Sequence, residues 1–478
     1  MKTLLIASLA ALIATIGLAA DGPQAWPQFR GPNGSGVANG ERPPIELGPE
    51  KNVKWKVPVP SGLSSPVVVG NKLVITAFDD DKLFTIAYNR ADGKEAWRAL
   101  APAEKIEPFL KSDGSPAAST CATDGERVVS YFGSFGLICY DVAGKELWKF
   151  PMELSTLGGG FGTGSSPIVA DGAVILVRDE AKDARIIAVD LARGKLRWEK
   201  KRQSPVSYCT PIVWDAPGGK QAVAAGHGRM VGYDLQTGAE KWTLTGMPSG
   251  CCTSPVIAGG TLFFAGWSPG GPDDKEHQMP TFDANLKQLD TDKDSSLSRA
   301  EAGKSFAGFF DSLDTNKDDK ITREEYDVIM KFMSDGTNSA FALRAGGTGD
   351  VTNTHMLWQQ TKGLPYIASA IVVGGQFVMI KDGGIVTAYD AQTGKEIYMQ
   401  RAAAGGKYYA SPVAANDAIY FTSLEDGTIT VLKAGTNKPE ILAQNPKLDE
   451  RVGATPAISD HTLYVRTEKH LYAFAESK

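Results

Sequence analysis

The sequence predicts an all-β fold, an eight-bladed β-propeller carrying a small α-helical insertion. Three observations predict it. A strand–turn–strand pattern headed by Ser-Pro, Thr-Pro or a near copy recurs about every forty to fifty residues, the period of a propeller array. Gly-, Asn- or Asp-containing two-residue turns separate its strands, as tight hairpins need. A Trp then returns at the same place late in most copies.

Residues 1–20 come first. Lys2 supplies a positive start, Leu4 to Leu18 a mostly apolar stretch, and Gly17-Leu18-Ala19-Ala20 a small-residue cleavage site. This reads as a signal peptide for a secreted or periplasmic protein. A membrane anchor fits less well, because the stretch is short and Asp21-Gly22-Pro23 follows at once. No Cys follows it, so a lipid anchor is not indicated. No later stretch is long and apolar enough to span a bilayer, so the mature chain is expected to lack a transmembrane segment. Residues 21–49 form an N-terminal extension.

Propeller blades occupy 50–267 and 338–478. The repeats are 64–78, 165–179, 209–226, 253–267, 368–382, 410–423 and 454–467, with a degenerate copy at 119–133. Turns at Gly70-Asn71, Asp124-Gly125, Asp171-Gly172, Gly259-Gly260, Gly374-Gly375 and Asn416-Asp417 join first to second strands. Third strands end at Tyr88-Asn89, Tyr140-Asp141, Val189-Asp190, Tyr233-Asp234 and Tyr389-Asp390. Fourth strands carry Trp97, Trp148, Trp198, Trp242 or Trp358, with Tyr398 and Leu442 in the equivalent place. The recurrent Trp is read as packing between blades. The last unit has only three strands, and residues 50–58, around Trp55, supply the fourth. Closing the ring from both termini hides the edges.

Composition is that of a globular chain, 42% hydrophobic and 22% charged, and its 52 Gly and 27 Pro suit a turn-dense β fold. Net charge is −5, and residues 280–335, with 13 acidic and 8 basic side chains, already account for −5. No basic stripe appears, which excludes nucleic acid as the expected partner.

That acidic stretch lies in the insertion, 268–337, at the turn between the second and third strands of blade 5. A hairpin tip tolerates an inserted module, since few core contacts cross it. Two loops inside it match the EF-hand pattern, in which oxygens at alternate positions and a closing Glu surround Ca²⁺. Loop one offers Asp290, Asp292, Asp294, the Ser296 carbonyl, Ser298 and Glu301. Loop two offers Asp314, Asn316, Asp318, the Lys320 carbonyl, Thr322 and Glu325. Leu297 and Ile321 hold the apolar eighth position, and apolar residues at helical spacing flank both loops: Phe282, Leu286, Leu289; Phe306, Phe309, Phe310, Leu313; Tyr326, Ile329, Met330, Met333. The sixth position departs from the pattern: Ser295 and Asp319 replace the Gly that favours positive φ, a closer substitute in loop two than in loop one. Either one helix serves both loops or Gly308 breaks it. Two Ca²⁺ ions in a structural role are expected, because an acidic segment with little core needs its charge neutralised.

The repeat, Ser-Pro-x-Val-x-x-Gly, a strand, a turn, Leu-x-Ala-x-Asp-x-x-Thr-Gly-Lys and a Trp, resembles the PQQ-like (pyrroloquinoline quinone) repeat family. The resemblance covers roughly 50–267 and 338–478, and residues 26–38, WPQFRGPNGSGVA, look like the N-terminus common in its exported bacterial members. It implies the propeller fold, which serves both quinoprotein dehydrogenases and non-enzymatic scaffolds of the outer-membrane assembly (BamB) type, so it does not by itself choose an activity.

In such a propeller the segments entering the innermost strands share a face with the turns between strands two and three. The axial mouth is then expected at Leu63, Ala117, Gly164, Tyr208, Cys252, Ile367, Tyr409 and Gly453, with Tyr366, Tyr408, Cys251 and Cys209 beside it. The turns add Arg178, Asp179, His227, Arg229, Lys381, Asp382 and Arg466. The resemblance makes Cys251-Cys252 suggestive, since a vicinal disulfide lies against the cofactor in quinoprotein dehydrogenases. The five cysteines leave several pairings open, Cys209 with either included. Cys121 and Cys139, two strands apart, are too distant to bridge. No catalytic residue stands out, and the glycine-rich 158–166 leads into a strand rather than a phosphate-binding helix. The expected function is a monomeric, non-catalytic exported module that binds a protein or polymer on this face. The alternative is a quinoprotein dehydrogenase using pyrroloquinoline quinone.

Overall fold

A computed structural model describes residues 25–156, 161–180, 183–269, 279–303, 306, 310–314, 316–334 and 336–476. The signal-peptide reading of residues 1–20 and the residues Gly308 and Phe309 lie outside the described residues.

Eight antiparallel sheets follow one another along the chain, each with four strands of the repeat. Blade 1 is Val67–Val69, Lys72–Asp79, Lys82–Asn89 and Glu95–Leu100. Blades 2, 3, 4, 6 and 7 start at Ala122, Ile168, Ile212, Ile371 and Val413. Blade 8 takes Ala457–Ser459, Thr462–Arg466 and His470–Phe474 from the C-terminus and Val53–Pro58 from the N-terminal side, with Trp55 opposite Ala473. Blade 5 is Val256–Ala258, Thr261–Gly266, Ser339–Leu343 and Met356–Gln360, so the insertion does separate its second and third strands.

Two sets of contacts tie blade to blade. The first uses the repeat Trp. A bulge in the outer strand pair sets Trp97, Trp148 and Trp198 opposite the small residues Ala87, Cys139 and Ala188. Each indole then reaches the next blade. Nε1 of Trp97, Trp148, Trp198 and Trp358 donates to the carbonyls of Val142, Leu191, Leu235 and Ala391 at 2.8–3.1 Å. Each ring lies flat on a glycine of that neighbour's turn; a Cβ at Gly194 would sit 2.7 Å from Trp148. That glycine has φ 64°, so both its conformation and its missing side chain are used. Trp242 departs, donating within its own blade to Gln221 Oε1, because blade 5 has an irregular turn there; Gly349–Asp350 pairs alongside it instead.

The second set is a closed ring at the axis. The Ser or Thr at the head of each innermost strand accepts the backbone N–H of its counterpart in the preceding blade. Ser65 N–H donates to Thr120, Thr120 to Ser166, Ser166 to Thr210, Thr210 to Ser254, Ser254 to Ser369, Ser369 to Ser411, Ser411 to Thr455, and Thr455 back to Ser65, all at 2.9–3.1 Å. Each N–H lies in a buried stretch with no strand partner of its own, so the hydroxyl satisfies it. This explains why the repeat opens with Ser or Thr, and Pro suits the next position because its missing donor is not needed.

The N-terminal extension closes the ring from inside. Trp26 carbonyl accepts from Val68, Pro27 carbonyl from Thr123, Asn33 pairs both ways with Val213, and Val37–Ala38 adds a parallel strand to Val413–Ala415. It thereby touches the innermost strands of blades 1, 2, 4 and 7.

The insertion contains α1 (Phe282–Leu289), α2 (Arg299–Ala302), α3 (Phe310–Leu313) and α4 (Arg323–Ser334). Helices α2 and α3 are single turns, so the expected pair of complete helix–loop–helix units is not established. Gly303 at φ 48° ends α2, ahead of Gly308. Phe282, Leu297, Ala302, Phe306, Phe310, Leu313, Ile321 and Tyr326 form a buried cluster, which corrects the expectation of little core.

Candidate functional site

The face bearing the insertion is built where the entry segments meet the turns between strands two and three. Asn338 and Ser268 clamp the stem of the insertion, Asn338 accepting from Ser268 N–H at 2.8 Å and donating to its carbonyl at 3.1 Å. Trp267, the last residue before that stem, packs edge-on against Tyr366, ring centroids 5.3 Å apart. Tyr366 is 39% exposed, so an aromatic pair joins the insertion to the axial mouth.

The expected mouth residues separate into groups. Tyr208, Cys252, Tyr366 and Tyr409 converge. Burial raises the Tyr208 and Tyr366 phenols, and the nearby Cys252 adds to both. Burial raises Tyr409, with Asp113 next. Burial pushes the Cys252 thiol up to about 12, with Cys209 as the second cause. At neutral pH the mouth therefore presents protonated phenols and a thiol that is a poor nucleophile. Cys209 and Cys251 lie in the wall behind it, fully buried, with Cys251 Sγ donating to Gly226 carbonyl at 3.1 Å. All five cysteines are free thiols.

Three more of the expected residues are elsewhere. Tyr408 is buried, its hydroxyl donating to Ala404 carbonyl at 2.6 Å, so it packs a turn. Arg466 is buried beside blade 1, donating to the carbonyls of Ser64, Thr76 and Pro60; it ties blade 8 to blade 1 and does not face the mouth. Lys381 lines a separate groove of about 420 Å³ with Lys362, Met399 and Arg401.

Sequence reasoning missed the strap over the mouth. Residues 101–121 join blade 1 to blade 2 without repeat pattern, and such length without regular structure is the one signal that could have found it. Phe109 packs edge-on to Phe78 at 5.6 Å, and the strap presses on the segment before blade 3 so closely that a Cβ on Gly114 would lie 1.9 Å from Phe161 carbonyl. Asp113 accepts from Tyr409 hydroxyl at 2.6 Å and pairs with Arg451 at 3.4 Å, at the entries to blades 7 and 8. The strap thus crosses from blade 2 to blade 7 above the axis.

Its near end is held by a buried acid. Glu107 N–H donates to Ser134 at 2.9 Å, and its Oε2 accepts from Thr163 at 2.5 Å. Burial pushes its carboxyl up to about 7, against the lowering effect of Thr163 and Arg178. Beside it Arg178 pairs with Glu180, and Asp179 with Arg202 at 2.7 Å. Arg178 and Asp179, expected at the mouth, are therefore wall ion pairs.

The two acidic loops lie side by side through a two-residue bridge, Leu297 opposite Ile321 and Ser298 opposite Lys320. Ser295 and Asp319 adopt φ 66° and 60°, the left-handed conformation the sixth position requires, without Gly. Carboxylate oxygens of Asp290, Asp292 and Asp294 lie within 4.8 Å of one another. Glu301 turns back on loop one, accepting from Thr291 N–H at 2.8 Å and Ser298 N–H at 3.0 Å. Glu325 does the same in loop two, with Asn316 at 3.2 Å and Thr322 at 2.9 Å. Hydrogen bonds hold Asp294 at about 2, Lys320 first among their donors, and hold Glu301 at about 2, Ser298 first. Hard oxygen donors on two short turns are the chemistry Ca²⁺ takes. Lys320 Nζ, 2.5 Å from Asp294, is a cation already set against loop one.

Eight four-stranded sheets clasped by outer Trp residues and closed by N- and C-terminal strands define a PQQ-like repeat β-propeller. The chain belongs to the family described as outer membrane protein assembly factor BamB, whose model matches residues 85–268 and 342–477, the two sides of the insertion. No curated protein sequence matches the chain. Among solved structures it resembles BamB from Moraxella catarrhalis at 12% identity and a TM-score of 0.53, covering 88% of this chain and 98% of that one. It also resembles the computationally designed Ika8 protein (12%, TM-score 0.55, 89% and 99%). A europium-containing methanol dehydrogenase is similar as well (11%, TM-score 0.57, 95% and 98%). An assembly factor, a designed protein and a dehydrogenase share the architecture, so the likeness establishes the fold alone.

Proposed function

We propose that the chain is an exported, non-catalytic binding module that docks a protein through the face carrying the insertion, with Ca²⁺ ordering the insertion. One observation carries the reading: the Trp267–Tyr366 pair makes the insertion stem and the axial mouth a single surface. The family's name points the same way, since an assembly factor works by contact. The protonated Cys252 and phenols and the strap across the mouth fit docking better than turnover at a bound quinone. Asp290, Asp292, Asp294, Ser298 and Glu301 would hold one ion, and Asp314, Asn316, Asp318, Thr322 and Glu325 the other, with the Ser296 and Lys320 carbonyls completing the sets. Export rests on the apolar segment at 1–20.

The test compares proteins captured from envelope fractions by the full chain, by Tyr366→Ala and by a chain with 269–337 replaced by a short turn, each with and without chelator. The same capture in all arms would remove the insertion face from the mechanism. Dye-linked alcohol oxidation after adding pyrroloquinoline quinone and Ca²⁺ would replace the reading with the dehydrogenase one. N-terminal sequencing of the mature protein checks export.

A further inference from the structure

Elsewhere on the rim the fold pairs its cations. Arg98 meets Glu95 at 2.8 Å, Arg127 meets Asp124 at 2.8 Å, and Arg185 meets Glu153 at 2.8 Å and Asp183 at 3.0 Å. The groove between blades 5 and 6 departs from this. Lys362, Lys381 and Arg401 line it, all three are exposed, and none has an ion-pair partner among the described residues. Asp382, next in the chain to Lys381, accepts Tyr408 N–H at 2.9 Å instead.

Strand register sets the lining. Lys381 stands opposite Ile385, and Ile385 opposite Arg401, so the three form a row across the second, third and fourth strands of blade 6. Adjacent strands lie about 4.8 Å apart, which puts the backbones of the two cations roughly 10 Å apart with an isoleucine between them. Met399, two residues before Arg401 and so on the same side of its strand, is 40% exposed and extends the apolar part. Farther along this face Tyr389 packs on Trp358 of blade 5, ring centroids 6.2 Å apart, and its hydroxyl donates to Lys362 carbonyl at 2.9 Å. The outer strand of blade 5 ends at Gln360, and past it the face of blade 6 opens as the groove of about 420 Å³.

The corresponding groove between blades 3 and 4 shows the self-contained alternative. Arg202, Arg229, Tyr233 and Glu240 line it. Arg202 pairs with Asp179 at 2.7 Å, and Arg229 donates to Gln203 at 2.7 Å and stands 3.9 Å from Glu240. No acid is among the residues lining the groove of blade 6.

We infer that this groove docks an extended acidic segment of a partner protein, with an apolar residue set among its carboxylates. A patch of one charge sign attracts its opposite. Cations spread over roughly 10 Å suit carboxylates on alternate residues of an extended chain, about 7 Å apart, better than one compact anion. Ile385 and Met399 take the apolar residue. No groove residue belongs to the Trp267–Tyr366 pair, so this site stands apart from the docking proposed through the insertion face.

The probe is a fluorescein-labelled peptide of three Asp-Leu-Asp repeats, which when extended sets a Leu among acids on one face. Anisotropy titration with the full chain should show saturable binding that added salt weakens. Lys381→Met and Arg401→Met should each weaken it about two- to fivefold, the range an exposed ion pair supplies, and the double variant about tenfold. These side chains are exposed and without ion-pair partners, so the variants should fold as wild type does. Lys433→Met, which removes a rim lysine paired with Glu440, should bind the peptide as wild type does. The chain with 269–337 replaced by a short turn, and Tyr366→Ala, should bind it no more weakly than wild type, so this inference and the docking reading fail separately. No binding at millimolar protein would overturn the inference, and equal binding by wild type and the double variant would overturn the assignment to this groove. Full displacement of the peptide by an equal concentration of inorganic phosphate would replace the acidic segment with a compact anion.

Discussion

The axial hydroxyl ring predicts the outcome of replacing Thr120 by Val. The two side chains have nearly the same shape, so the change removes an acceptor without opening a cavity. Ser65 N–H, 2.9 Å from Thr120 Oγ1, then loses its only partner in a place where Ser65 and Thr120 are each 1% exposed. Leaving such a donor unpaired costs about 1–3 kcal/mol. An unfolding entropy of about 2.1 cal/mol/K per residue, over roughly 450 residues, makes 1 kcal/mol worth about 1 °C. Thr120→Val should therefore melt about 1–3 °C below wild type and shift the urea midpoint in the same direction. Thr120→Ser is the control. Serine already fills the ring at 65, 166, 254, 369 and 411, so it should match wild type closely. A Val variant as stable as wild type, or a Ser variant as damaged as the Val one, would refute the reasoning.

Glu107, with its carboxyl raised from 4.5 to about 7 by burial, favours folding in its neutral form. That contribution is complete below about pH 4.5 and lost as pH rises through about 7, so Glu107→Gln should gain on wild type by about 3 kcal/mol at pH 8 and little at pH 5. A melting-temperature difference that stays flat from pH 5 to 8 would contradict it. Gly194→Ala meets Trp148 and a φ of 64° together, and should destabilise by more than about 1 kcal/mol in urea titrations. Lys320→Met removes the cation beside Asp294, so calorimetric titration should find tighter Ca²⁺ binding at loop one; weaker binding would show that the lysine helps to shape the site. Asp113→Asn weakens the hold on Tyr409 and Arg451, so hydrogen exchange over 108–116 should quicken while exchange in the blades stays unchanged.

The ring was legible because each blade must solve the same problems with the same residues. Two-residue turns announce themselves through Gly, Asn and Asp. The Trp recurs because each blade needs a large ring to lie on its neighbour's glycine. Trp55 identified the strand that completes blade 8, which pairs with His470–Phe474 as the pattern required. Blade 5 was readable across its interruption because Ser339–Leu343 keeps the period-two pattern and regains Phe264 and Phe263 as partners. Ser and Thr before Pro were visible too, but their function was not. A hydroxyl that caps an N–H in the next blade is defined only once the blades stand side by side.

The sequence by itself determined the blade count, the closure and the position of the insertion. These follow from local periodicity and residue chemistry, which the chain carries everywhere it goes. Tertiary structure alone decided that Tyr208, Cys252, Tyr366 and Tyr409 meet while Arg466, Tyr408 and Lys381 do not, because ring geometry brings residues from distant blades to one axis. It also decided that an irregular strap roofs the mouth and that the N-terminal extension closes the ring from inside. Neither segment repeats, so no periodicity marks its place; each is positioned by contacts to several blades at once.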